Sequence, residues 1–211
     1  EQYIQYGGSP GAPGYWNSAA EELVLFDDQK GGGRADTWVV LNHEAFHQYI
    51  FYFYGSISPH SWYNEGTGDF YSGYMYEHRK FTLKEMPWRI RGIQESLRAG
   101  PSLPKSGTGY APLAELVRWS QSQYYNREPS GNPYDLSGPD CYAQGWSFIY
   151  FLRTGDKKKP KGWNPAWGKT LETYLSTLAD DGDLDKAVDT AFAGIDWAAL
   201  EESWKNYILS L

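Results

Sequence analysis

The most continuous apolar stretch of the chain runs from residue 37 to about residue 54. It contains no glycine or proline before Gly55, and its density of apolar side chains predicts one buried helix. Asp36 or Thr37 is placed to cap the N-terminus of this helix, because either side chain can accept a hydrogen bond from a free backbone N–H.

A second helix is predicted from about residue 63 to residue 79. Gly66, Gly68 and Gly73 lower its helical propensity. Glycines are nevertheless expected in a helix that packs closely against another, since they leave room for the neighbouring backbone.

The rest of the chain predicts further helices, near residues 87–99, 112–125, 140–153, 165–178, 184–192 and 197–209. Proline suits the first turn of a helix and aspartate suits its N-cap. The residues that support individual starts in this way are Pro87, Pro112, Pro165, Asp140, Asp183 and Asp196. Segments 100–109 and 129–139 are rich in glycine, proline and serine and predict loops.

The first 36 residues have a different pattern, in which glycine- and proline-rich turns alternate with two short extended candidates, residues 3–6 and 22–26. A small sheet followed by many helices predicts an α+β fold that is mainly α. With 211 residues and no polar linker, the chain predicts a single domain over residues 1–211. We expect the sheet and the first long helix in about residues 1–55 and a helical lobe in about residues 60–211.

The formal net charge of −7 excludes nucleic acid and anionic lipid as expected partners, because the field of the chain repels them. The basic run of residues 157–161 lies among turn-forming residues and is expected to be a solvated loop. No run of about 20 apolar residues is present, so no membrane span is predicted. Nothing in the composition indicates an oligomeric state.

The first long helix carries the sequence His43-Glu44-Ala45-Phe46-His47. Two histidines one helical turn apart lie on the same face, so both imidazoles can reach one metal ion. Glu65 follows at a distance that allows it to supply a third ligand from the next helix. Three protein ligands leave one position of a tetrahedral zinc ion open, as a catalytic site requires. The spacing therefore predicts a site for one catalytic Zn²⁺.

Two further carboxylates fit this arrangement. Glu44 is about 100° around the helix from His43, where it can act on water beside the metal without being a ligand, as general base and then general acid. Asp69 is one turn beyond Glu65 and can orient a zinc-binding imidazole. The alternative is that these are ordinary helix residues and exposed carboxylates, since a five-residue motif alone also occurs by chance.

His43 to His47, the later Asn64-Glu65-Gly66 and Asp69 together resemble the gluzincin zinc peptidases. This group includes the thermolysin-type and M1 aminopeptidase-type enzymes, and the chain is also similar to the peptidase-MA-like family of bacterial domains. The resemblance extends over roughly residues 15–208, although its specific motifs occupy only about 20 of them. It implies a zincin-like catalytic domain that hydrolyses peptide bonds of a peptide or protein substrate.

The same resemblance implies a role for Tyr142 in Tyr142-Ala143-Gln144-Gly145, which is similar to the M1 segment that polarises the substrate carbonyl. Tyr142 would then donate a hydrogen bond to the tetrahedral oxyanion. The alternative is a tyrosine that packs between helices. Gln144 stands where the M1 pattern has lysine, and the spacing from His47 to Glu65 is shorter than in either enzyme type.

The M1 segment that grips a free amino terminus is Gly-x-Met-Glu-Asn, and the corresponding region here is Gly14-Tyr15-Trp16-Asn17, without the glutamate. An endopeptidase is therefore favoured over an aminopeptidase. Extracytoplasmic or secreted bacterial residence is expected from the resemblance and from the abrupt start at Glu1. The competing hypothesis is a noncatalytic module that binds a peptide or glycan on the same scaffold with a structural zinc ion. Glu44 argues against it, because a structural zinc ion has no need of that carboxylate.

Other chemistry-bearing residues favour structural roles. His60 and His78 are expected in packing or surface positions, and Cys141 as a small buried side chain. The aspartate run at residues 180–185 lacks the glycine and glutamate of a calcium loop and predicts a turn with a helix cap. The tryptophans are expected in the core and in cleft walls rather than in sugar binding.

Overall fold

The computed structural model describes residues 2–8, 13–26, 34–55, 57–127, 129 and 131–211. The described part of the chain is mainly helical and has two small antiparallel sheets, which confirms the α+β, mainly α prediction. The chain divides into two compact units. Unit 1 comprises Glu1–Ser58 and Thr67–Glu85, and unit 2 comprises Pro59–Gly66 and Met86–Leu211.

Unit 1 begins with a short helix and a hairpin. Helix α1 spans Gln2–Gln5, strand β1 spans Gly14–Asn17 and strand β2 spans Glu22–Leu25. The two strands are antiparallel and pair Tyr15 with Val24. The strand predicted at residues 22–26 is thus confirmed, whereas the extended segment predicted at residues 3–6 is wrong. Backbone hydrogen bonds from Gly7 and Gly8 to residues 4 and 3 close a helical turn there instead.

Helix α2 spans Arg34–Tyr54 and packs against β1 and β2. It starts before the predicted position, so Asp36 and Thr37 lie inside the helix and the prediction that one of them caps it is wrong. Of its described side chains only Phe46 and Ile50 are buried, so the helix is half-buried rather than buried as predicted. Its uninterrupted backbone nevertheless keeps residues four apart on one face.

Helix α3 spans Ser61–Ser72, and its predicted continuation to residue 79 is wrong. Strands β3, Tyr74–Glu77, and β4, Lys80–Leu83, form a hairpin after it. The two residues between these strands, His78 and Arg79, both have positive φ, as a type I′ turn requires. Gly73 makes the helix-to-strand change possible, because a Cβ there would lie 2.7 Å from the Lys84 carbonyl oxygen.

Unit 2 contains the remaining helices. They are α4 Pro87–Ala99, α5 Leu113–Leu116, α6 Gln121–Tyr124, α7 Gly138–Lys158, α8 Thr170–Asp181, α9 Leu184–Ala191 and α10 Trp197–Leu209. The predicted helices at 87–99 and 197–209 are confirmed with the same bounds, and α9 ends one residue before its predicted limit. The continuous helix predicted at 112–125 is wrong, because Ser120 and Gln123 form a capping box that starts α6 as a separate turn.

Local caps explain most helix starts in this unit. Asp183 and Asp196 accept backbone N–H hydrogen bonds at the starts of α9 and α10, as predicted. Asp140 is not the N-cap of α7; it is the third residue of a capping box whose N-cap is Ser137. The helix predicted at 165–178 begins as a 3-10 turn, Pro165–Lys169, and continues as α8 beyond the predicted end.

Helix α7 is the core of unit 2 and packs against α4 and α10. Its buried aromatic side chains include Trp146, Phe148 and Phe151, and Trp204 of α10 donates a hydrogen bond to Ser147. Cys141 is buried in the same helix, and burial raises the pKa of its thiol to about 12. The predicted core role of this cysteine is confirmed, and five of the ten tryptophans are buried, namely Trp62, Trp119, Trp146, Trp167 and Trp204.

The aspartate run at residues 180–185 also has a structural role. Gly182 ends α8 with a positive φ, Asp183 caps α9, and Lys186 forms an ion pair with Asp181, so the aspartate run is a turn and cap as predicted. Among the described helices, none is both long enough and apolar enough to cross a membrane.

The first half of α3 approaches α7 through two glycines. A Cβ on Gly66 would lie 2.6 Å from the Gly145 carbonyl oxygen, and a Cβ on Gly145 would lie 2.3 Å from the Tyr124 hydroxyl. Both distances are shorter than a real Cβ atom shows, and the atom that Gly66 faces belongs to the backbone, which cannot easily move away. The expectation that glycine in this helix serves close packing is confirmed.

We therefore expect Gly66→Ala to lower the free energy of unfolding by about 1–3 kcal/mol, because overpacking outweighs the higher helical propensity of alanine. Gly92→Ala in α4 is the matched control, since a Cβ there meets only the Ala143 Cβ at 3.6 Å. The control should stabilise by up to about 1 kcal/mol. Urea unfolding measures both, and equal effects of the two substitutions would contradict the close contact.

His60 is buried in unit 2 and its backbone N–H and Nδ1 both hydrogen-bond the Tyr174 hydroxyl, at 2.9 and 3.0 Å. Burial, with a smaller contribution from Arg118, lowers the pKa of His60 to about 4. The unfolded chain, with a histidine pKa near 6.5, therefore binds more protons than the folded chain between about pH 4 and pH 6.5.

This difference makes the protein less stable as pH falls through that window, by on the order of 1 kcal/mol per pH unit. His60→Gln removes the titration but keeps the backbone hydrogen bond to Tyr174. The advantage of wild type over this variant in urea unfolding should therefore shrink from pH 7 to pH 4.5. A difference that stays constant with pH would show that His60 does not carry the effect.

Candidate metal centre

His43 and His47 lie one turn apart on α2, and their ring centroids are 4.7 Å apart at an interplanar angle of 78°. Both rings are half-buried. The uninterrupted helix sets this spacing, because residues four apart lie on one face. The two imidazoles can therefore bind the same ion.

Glu65 lies on α3 and is buried, with 6% of its surface exposed. His43, His47 and Glu65 each offer one ligand atom, and these atoms all lie within 4.8 Å of one another. Such a group can hold a metal ion. Two imidazole nitrogens and one carboxylate oxygen match the ligand set of catalytic zinc sites, and imidazole also suits other transition metals.

Asp69 is one turn beyond Glu65 and is 4% exposed. Its Oδ1 lies 3.2 Å from His43 Nδ1. This contact engages one ring nitrogen and leaves Nε2 as the nitrogen available to a metal. Gly68 allows the ring to lie flat against α3, because a Cβ there would be only 3.0 Å from His43.

Glu44 is half-buried on α2, and its Oε2 accepts a hydrogen bond of 2.9 Å from the Trp16 backbone N–H of β1. One carboxylate oxygen is thus held by the hairpin, and the other is the candidate for proton transfer. Strand β1 therefore supports Glu44 through this hydrogen bond.

Two tyrosines of unit 2 contact Glu65. Tyr125 Oη donates a hydrogen bond of 2.6 Å to Glu65 Oε1. Tyr142 lies close enough to Glu65 and Tyr125 for both to raise the pKa of its phenol. Burial first, and the Glu65 charge second, hold the pKa of each phenol far above its usual value, so both are neutral donors.

Tyr125 is the site residue that sequence reasoning missed. The serine and glutamine at 120 and 123 indicate that a helix starts at residue 121, but the contact with Glu65 joins residues far apart in the chain. Gln144, which stands where M1 enzymes have lysine, is buried, and its side chain makes two hydrogen bonds to the Ala111 backbone. Its role in this fold is to hold that loop.

The remaining histidines do not belong to the group that can hold a metal. His60 packs against Tyr174, and His78 lies in the β3–β4 turn. A separate cavity of about 490 Å³ in unit 1 is lined by apolar and aromatic side chains of α2, α3, β3 and β4. Asn42, Ala45, Phe46 and Tyr49 line it, and this face of α2 lies about 130° around the helix from the histidines.

We expect wild type to bind about one zinc ion per chain and His47→Ala to bind it at least about 100-fold more weakly, since loss of a ligand exceeds the 10–100-fold cost of losing an outer partner. Competition with a chromophoric chelator measures the affinity, and elemental analysis measures the stoichiometry. His78→Asn is the control, because asparagine tolerates the positive φ of that turn. Equal affinities of the two variants would exclude His47 as a ligand.

Comparisons with known proteins do not identify the site. No protein-family model, no curated protein and no solved structure matches the chain. The function is therefore inferred from the side chains that the fold brings together and from the sequence motifs that they form.

Proposed function

We propose that the chain is a zinc-dependent peptidase of the gluzincin type. His43, His47 and Glu65 would hold the ion and Glu44 would act as general base and then general acid. The observation that carries the proposal is the group of three ligand atoms within 4.8 Å of one another, next to a carboxylate that directly follows the first ligand.

When bound, zinc supplies a Lewis acid that lowers the pKa of water toward neutrality and polarises a carbonyl group. The residues of the chain supply the proton chemistry. Glu44 accepts the proton of the attacking water and transfers it to the nitrogen of the scissile peptide bond, which then leaves as an amine. Trp16 holds the second oxygen of Glu44 and so limits the rotation of the carboxylate.

Asp69 and Tyr142 have supporting roles in this proposal. Asp69 fixes the orientation of the His43 ring through their 3.2 Å contact. Tyr142 is half-buried with a neutral phenol, which suits a hydrogen-bond donor to the developing oxyanion. The role of Tyr142 rests on the M1 resemblance of residues 142–145.

A peptide or protein is the proposed substrate, and an endopeptidase is favoured over an aminopeptidase. The support for this preference is that β1 has no glutamate at the position where M1 enzymes bind a free amino terminus. Residence outside the cytoplasm is part of the same proposal and follows from the peptidase-MA-like resemblance.

Glu44→Gln is the decisive substitution. Glutamine keeps the size of the side chain but cannot accept the proton, so we expect zinc binding to remain and peptide hydrolysis to fall by about 10²–10⁴-fold. Mass spectrometry of a peptide library measures hydrolysis, and internal cuts distinguish an endopeptidase from a stepwise exopeptidase. Glu22→Gln on the exposed part of β2 is the control and should keep full activity.

The competing function is a noncatalytic module that binds a peptide or glycan. Wild type that binds zinc but cleaves nothing in the library would support this module and overturn the peptidase proposal. Hydrolysis that survives in Glu44→Gln would instead show that another residue acts as the base.

A further inference from the structure

We infer that Tyr125 is a positioning residue that holds the Glu65 carboxylate so that a single oxygen faces the metal. The inference rests on the proposed metal site but not on its proposed catalytic activity. Its basis is the 2.6 Å hydrogen bond that Tyr125 Oη donates to Glu65 Oε1. No feature of the gluzincin motif in the sequence assigns this residue.

The hydrogen bond affects how many oxygens of the Glu65 carboxylate can bind a cation. Glu65 has two oxygens, and a carboxylate can bind a cation through one or both of them. Tyr125 engages Oε1, and Glu65 contributes one ligand atom to the group that can hold a metal. A phenol donor on the other oxygen also fixes the rotation of the carboxylate, as outer partners of metal ligands do.

Burial strengthens this effect. Glu65 is 6% exposed, so water cannot easily replace a lost partner of its carboxylate.

The fold holds Tyr125 in place without help from a metal. It directly follows α6, and its backbone N–H donates to the Gln121 carbonyl oxygen. The adjacent Tyr124 is fully buried and donates a hydrogen bond of 2.8 Å to the Cys141 carbonyl oxygen of α7. The Arg127 guanidinium lies 4.6 Å from the centroid of the Tyr125 ring. These contacts pre-organise the phenol before an ion binds.

Tyr125 and Tyr142 have different roles in this inference. The ring centroids of Tyr142 and Tyr125 are 6.0 Å apart. In this inference, Tyr125 keeps Glu65 in place when Tyr142 turns its phenol toward a substrate.

Tyr125→Phe removes only the hydroxyl and tests the inference by zinc affinity rather than by activity. Loss of an outer partner typically weakens metal binding by 10–100-fold, and we expect a change of about that size in chelator competition. Tyr134→Phe is the matched control, since Tyr134 donates a 2.7 Å hydrogen bond to the exposed Glu115. The control should bind zinc as wild type does.

A second readout reports the ligand geometry. In the Co²⁺-substituted protein, Tyr125→Phe should weaken the visible absorption bands, because a carboxylate freed to bind through both oxygens raises the coordination number. A residue that only stabilised the fold would lower the urea stability of the metal-free chain and would leave both the affinity and the spectrum of the folded protein unchanged. An affinity within about threefold of wild type, together with an unchanged spectrum, would overturn the inference.

The outcome is separable from that of the proposed function. Wild type that binds zinc but cleaves no peptide would overturn the peptidase proposal, while a weakened Tyr125→Phe would still support the inference. Wild type that cleaves peptides, with Tyr125→Phe binding zinc normally, would overturn the inference alone. Wild type that binds no zinc would overturn both.

Discussion

The constraint on which the site depends is the close packing of α3 through its glycines. Gly66 lets the first half of the helix contact the backbone of α7, and Gly68 lets the His43 ring contact the second half. Glu65 and Asp69 lie on the same helix, one turn apart, so these contacts determine where both carboxylates lie. A methyl group at either glycine would require atoms to shift around the candidate metal ligands.

Two buried carboxylates one turn apart are costly unless each has a partner, because burial removes the water that would solvate their charges. The structure provides a partner for each of them. Asp69 contacts His43 Nδ1, and Glu65 accepts the Tyr125 hydroxyl. Each of the two buried carboxylates thus has a polar partner, in a group of side chains that can hold a metal ion.

Sequence reasoning succeeded where local chemistry decides the structure. Pro87 and Asp196 mark helix starts that the structure contains, and the interval between His43 and His47 became one helical turn. It was wrong where two local patterns compete. The helix predicted up to residue 79 ends earlier, and residues 74–83 form a hairpin with a turn at His78 and Arg79. The helix predicted at residues 112–125 is divided by the capping box at Ser120.

The sequence by itself determined the ligand types, their helical spacing and the carboxylate beside them, because these depend only on residue identity and helix periodicity. It also determined that the protein is mainly helical, since caps and apolar periodicity are local. Only the tertiary structure decided that a ligand atom of Glu65 lies within 4.8 Å of one on each histidine and that Tyr125 donates a hydrogen bond to the Glu65 carboxylate. Contacts between residues distant in the chain depend on how helices pack, and one short sequence motif carries no record of that packing.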